Sequence, residues 1–97
     1  MVKHLVLWKL KDSERRNAVA DAALLRSRFN ALIGIVDGLK SVQVGANYKP
    51  GDYDLCLECV FDSKEDEEQY QVHPEHLKIK ALVAKMICGR TAFDYEI

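Results

Sequence analysis

The first ten residues place apolar side chains on both faces of one strand, and this constrains the fold more than any other feature of the chain. Val2, His4, Val6, Trp8 and Leu10 share one face of an alternating segment, while Leu5 and Leu7 lie on the other face between Lys3 and Lys9. Successive strand residues point to opposite sides of a sheet, so this strand belongs inside a sheet that is covered twice. A chain of 97 residues has length for one core only, and residues 1–97 are read as one domain. One cover must therefore come from the chain's own helices and the other from outside it.

The rest of the chain supplies the first cover. Asp12 or Ser13 is placed to cap a helix on which Ala18, Ala22, Leu25, Phe29, Ile33 and Val36 recur every three or four residues, with Gly34 and Gly38 at its end. Leu39 to Asn47 alternates as a second strand, Pro50-Gly51-Asp52 turns, and Tyr53 to Phe61 reads as a third strand. Ser63 opens a short acidic helix that His73-Pro74 breaks, because the residue before proline avoids the helical region while Pro74 suits the first turn of a new helix. That helix is predicted to run to about Cys88, with His76, Ile79, Val83, Met86 and Ile87 inward and Gly89 closing it. Thr91 to Ile97 forms the last strand, with Ala92, Asp94 and Glu96 on one face and Phe93, Tyr95 and Ile97 on the other.

Strand, helix, strand, strand, helix pair, strand is the order of an α+β, ferredoxin-like domain: a four-stranded antiparallel sheet with helices on one face. Leu5, Leu7, Phe93, Tyr95 and Val60 then lie on the side the helices leave bare. A second copy packed sheet to sheet covers that face, which predicts a homodimer.

Composition excludes several functions. The formal net charge is −1 and Lys and Arg are evenly scattered, so no basic stripe is available to a phosphate backbone and no nucleic-acid partner is expected. An RNA-recognition module shares the element order, but the third strand lacks its basic and aromatic signature, and Asp54 and Glu58 would repel phosphate. No apolar run approaches the roughly 20 residues of a membrane span, and the N-terminus reads as a strand and not as a signal peptide. A cytoplasmic protein without membrane contact is the expectation. Cys56, Cys59 and Cys88 are an odd number and are read as free thiols. Cys56 and Cys59 lie three apart on a strand and point to opposite faces, so their spacing does not make a metal or redox motif.

The candidate chemistry lies in His76, Tyr70, His4 and Asp94. His4 shares a strand face with Val6 and Trp8, and His76 starts an inward helical stripe; an imidazole among apolar groups needs a hydrogen-bond partner. A proline-kinked junction can bring the Tyr70 hydroxyl beside His76, and Asp94 is placed to orient the His76 ring as an acid orients a general base. Val6, Trp8, Leu25, Phe29, Ile33, Leu57, Ile79 and Val83 are expected to wall the pocket.

Met1-Val-Lys-His-Leu-Val-Leu-Trp-Lys-Leu10, Tyr70-Gln-Val-His-Pro-Glu-His76 and Phe93-Asp-Tyr-Glu96 together give the chain a resemblance to the stress-responsive A/B barrel domain family. The resemblance spans essentially the entire chain, and the Tyr-x-x-His-Pro-x-His junction is its most specific part. It implies a dimeric α+β barrel. It also implies kinship with a plant polyketide cyclase, olivetolic acid cyclase, which closes a ring by aldol condensation using a tyrosine and a histidine. Carried over by motif, those roles fall on Tyr70 and His76, with His4 lining the pocket and Asp94 holding His76. Such acid–base chemistry on an enolisable carbonyl needs no metal or cofactor. Trp8 is bulky, and Arg26 and Lys80 border the helical stripes, so a long alkyl tail fits poorly.

Rival expectations remain beside this one. The same residues suit a non-catalytic dimer that binds a small molecule. His73, Glu75, His76 and Asp94 are ligand types for a metal, although His73 and His76 straddle Pro74 and diverge. A haem-degrading monooxygenase follows from fold analogy alone.

Overall fold

A computed structural model describes all 97 residues. Strand β1 (Val2–Leu10) leads through a single 3-10 turn at Arg15–Asn17 into helix α1 (Ala18–Asn30). Strands β2 (Leu39–Ala46) and β3 (Leu55–Phe61) form a hairpin, helices α2 (Lys64–Val72) and α3 (Pro74–Ala84) follow, and strand β4 (Ile87–Glu96) ends the chain. The sheet order is β2-β3-β1-β4 with every neighbour antiparallel, the ferredoxin-like arrangement expected from the element order.

β1 is a central strand, and its burial alternates along its whole length. Its inward residues Val6, Trp8 and Leu10 join Leu55, Leu57, Cys59 and Phe61 of β3 and Leu25 and Phe29 of α1 in one continuous core. The opposite face carries Leu5 and Leu7, which pair across the sheet with Phe93 and Thr91 of β4. Val60 stands opposite Lys3, and the Phe93 and Tyr95 rings meet edge to face 5.9 Å apart. Phe93 is 66% exposed and Tyr95 41%, an apolar face that no helix of this chain covers.

Several boundaries differ from those expected, each for a local reason. Neither Asp12 nor Ser13 caps α1; Asn17 holds the cap position after the 3-10 turn and makes no side-chain cap bond. α1 stops at Asn30 and does not continue to Val36, because the Ile33-Gly34-Ile35-Val36 run is poor in helix formers and Gly34 has φ of 89°. The chain instead folds through tight turns that bury Leu32 and Val36 and leave Ile33 40% exposed. β3 starts at Leu55 and not Tyr53. α3 ends at Ala84, short of Cys88, and β4 begins at Ile87, four residues ahead of Thr91. Cys88 is the extra residue of an irregularity where Lys9 pairs with Gly89 and Leu10 with Ile87, so Gly89 lies within a strand and does not close a helix.

The helix pair is set by its caps. Ser63 has extended backbone, and its hydroxyl oxygen accepts from the Asp66 amide, opening α2. His73 is extended, ends α2 and starts α3, where its Nδ1 accepts from the Glu75 amide at 3.1 Å. His73 is therefore occupied as a cap, and the expected grouping of His73, Glu75, His76 and Asp94 around a metal does not form.

Candidate functional site

Where α3 faces the sheet between β1 and β4, the core is incomplete. A cavity of about 230 Å³ opens there, with Val6, Trp8, Phe29, Leu57 and Val83 as its apolar lining and His4, Tyr70 and His76 as its polar aromatic groups. Of the eight apolar residues expected to wall the pocket, these five line it. Leu25 and Ile79 are buried in the core beside it, and Ile33 lies outside because α1 ends before reaching it.

The two imidazoles are held differently. His4, 3% exposed, directs Nδ1 to the Asp94 carboxylate, which faces it directly across the β1–β4 ladder. A carboxylate only accepts, so Nδ1 carries the proton and Nε2 is the ring nitrogen left for a ligand. His76, on the first turns of α3, directs Nδ1 to the Tyr70 carbonyl oxygen at 2.9 Å. By the same reasoning Nδ1 donates and Nε2 is free. Burial, with Lys80, His4 and Arg90 as nearby positive or ionisable groups, pushes His76 down to about 4, so the ring is neutral near pH 7. The expected partnership of Asp94 with His76 is thus corrected: strand register gives Asp94 to His4, and a main-chain carbonyl holds His76.

Tyr70 packs against both rings. It stacks on His76 with centroids 3.8 Å apart and planes 16° from parallel, and meets His4 at 5.9 Å and 69°. A face-to-face stack sends the hydroxyl past the imidazole and not to its edge, unlike the arrangement expected from the kinked junction. The hydroxyl is fully buried without a hydrogen-bond partner; its polar neighbour is the Cys59 thiol. Burial raises the phenol far above its ordinary range and pushes the Cys59 thiol up to about 12. Both groups stay protonated. Cys56, Cys59 and Cys88 are all free, with Cys56 outside the buried face that holds Cys59.

Three groups that a metal could use do converge elsewhere. One ligand atom each from His4, Glu67 and Asp94 lies within 4.8 Å of the others. In this structure they are engaged within the protein: Asp94 accepts from His4, and Glu67 accepts from Gln71 Nε2 at 2.7 Å.

The stress-responsive A/B barrel domain family matches residues 2–97. The chain belongs to that family. This A/B barrel chain is 30% identical to a dimeric ferredoxin-like protein of unknown function from Bacteroides fragilis, covering 99% of this chain and 95% of the other with a TM-score of 0.82. A dimeric ferredoxin-like protein of unknown function from Thermobifida fusca is 26% identical over 99% and 90% of the two chains, with a TM-score of 0.80. A hydroxynitrile lyase from Passiflora edulis shares the fold at 17% identity, 99% and 92% coverage and a TM-score of 0.78. A search of curated proteins finds no match. The A/B barrel chain has no helix long and apolar enough to cross a membrane.

Gln71, Ala84, Ile87 and Arg90 also line the cavity and were not expected there. Arg90 was hidden by the placement of the last strand at Thr91; the observed register sets it opposite Trp8, on the inward face. Lys80 also lines the cavity, and its spacing of four residues from His76 on a helix carried the signal.

Proposed function

We propose that this protein is a cytoplasmic homodimer that uses the cavity to remove a proton next to a carbonyl, in the manner of a cofactor-free cyclase or lyase. The observation that carries the reading is that His4, on the cavity wall, is backed by the Asp94 carboxylate behind it. Asp94 fixes the His4 tautomer and supplies a counter-charge when Nε2 takes up a proton from the ligand, while His76 has only a neutral carbonyl behind it. The sequence motif favours His76 as the base; the hydrogen bonding favours His4, with His76 accepting from a ligand hydroxyl and Tyr70 holding the two rings apart. That relatives of this fold are dimeric supports pairing through the bare face of the sheet around Phe93 and Tyr95. Three free thiols suit a reducing compartment.

Deuterium exchange into an enolisable aryl ketone, followed by proton NMR in heavy water, tests the chemistry. The wild type is expected to exchange the α-protons faster than buffer does, and Asp94→Asn to lose most of that acceleration, by roughly 10²–10⁴-fold, while the fold is retained. Wild-type exchange no faster than buffer would remove the catalytic reading. A second reading then stands, a non-catalytic small-molecule binder, favoured by the burial of the Tyr70 hydroxyl away from any ligand and by the weak basicity of His76.

A further inference from the structure

The cavity's charged groups all have one sign. No carboxylate lines it, although the chain has 15 acidic residues against 14 Lys and Arg. Its two charged lining residues are Lys80, from α3, and Arg90, from the edge strand β4. Both residues are exposed, and neither side chain forms an ion pair or a hydrogen bond within the protein, so both cations are available to a ligand at the cavity mouth. Two unpaired cations at the edge of an apolar cavity are a poor arrangement for an empty or neutral site, since both add to the effect of burial in depressing the His76 imidazole. They suit a ligand that brings its own negative charge.

We infer that the ligand is a small carboxylate whose apolar body lies on the Trp8 and Phe29 rings and whose anionic group sits between Lys80 and Arg90. Trp8 and Phe29 stack with centroids 6.1 Å apart at 26° and both line the cavity, an aromatic lining for an aromatic or short aliphatic body. A cavity of about 230 Å³ limits that body to about one ring and a short chain. The planar guanidinium of Arg90 matches a carboxylate in two-point contact, and Lys80 adds a point charge. The inference rests on the cavity being the ligand site proposed above, and narrows the substrate of that site to oxo acids. It also couples binding to proton affinity. Burial is the main reason His76 holds no proton; a carboxylate that neutralises the two cations removes their added share, so His76 becomes more basic once the ligand is in place, with Tyr70 and His4 the other titratable groups beside it.

Calorimetric titration with 4-phenylbutanoate and its neutral isostere 4-phenylbutanamide tests this. The acid is expected to bind at least about tenfold more tightly than the amide, with an affinity that falls as salt is added. Lys80→Gln and Arg90→Gln should each weaken the acid about tenfold and leave the amide unchanged. Both side chains reach solvent, and melting curves will show that the variants fold. Histidine NMR titration should show His76 moving to higher pKa when the acid is bound and not when the amide is. Equal binding of acid and amide, binding of neither, or an undiminished acid preference in the double variant would overturn the inference. Failure of the deuterium-exchange experiment with the acid preference intact would remove the catalysis and leave the carboxylate site standing.

Discussion

The two halves of the sheet are finished to different degrees. On the β2–β3 side, α1 closes the inward face, and Leu39, Val42, Val44, Leu55, Leu57 and Phe61 are all buried. On the β4 side only Ile87 and Gly89 are even partly covered, and every residue from Arg90 onward is exposed. α3 spans that half at a distance, and the space beneath it is the cavity. Close packing stabilises the first half, while the second leaves a cavity with polar and charged groups on its inner side and an uncovered apolar surface on its outer side.

Substitutions in the two halves should therefore differ most in stability. Phe61→Ala, at a fully buried position, is expected to lose about 3–5 kcal/mol in urea denaturation, against about 1 kcal/mol for Ile87→Ala beside the cavity. Equal losses would show that the β4 half is as tightly packed as the other. The outer face gives the next largest effect. Phe93→Asp should weaken dimerisation by about 2 kcal/mol or more, roughly a thirtyfold rise in Kd by sedimentation equilibrium, with the melting of the separated chain little changed.

The cavity itself should be visible in the pH dependence of stability. His76 is pushed down from 6.5 to about 4 in the folded chain, so between those values the unfolded chain binds more protons than the folded one. Stability should rise with pH across that window, by at most about 1.4 kcal/mol per unit from this group, and level off above 6.5. His76→Gln should flatten that portion of the curve; an unchanged slope would mean that the ring already titrates normally. The smallest effect expected is at a helix start remote from the opening. Ser63→Ala removes the acceptor of the Asp66 amide and should cost about 1 kcal/mol in denaturant, with no change in ligand affinity.

The architecture could be read from residue patterning because burial on a strand or helix face leaves a period in the sequence. The two-sided β1, the proline break and the bare outer face are all present as expected. Which acid meets which imidazole could not be read that way. Pairing Asp94 with His4 depends on the register of two strands ninety residues apart, and an irregularity at Cys88 shifts that register without any marker in the local pattern. Arg90 was missed for the same reason. The stacking of Tyr70 on His76 likewise depends on how α2 and α3 meet, a relation between two axes that neither helix encodes alone.

Pro74 has an effect that reaches past the backbone it bends. In an uninterrupted α-helix the carbonyl of residue 70 would be claimed by the amide of residue 74, but a pyrrolidine nitrogen has no hydrogen to offer. The Tyr70 oxygen, which accepts from the His73 amide at 3.2 Å, therefore keeps a lone pair for the imidazole at position 76. A missing backbone donor thus selects the tautomer of a side chain two residues downstream, and replacing that imino acid would put a competitor for the same oxygen within reach.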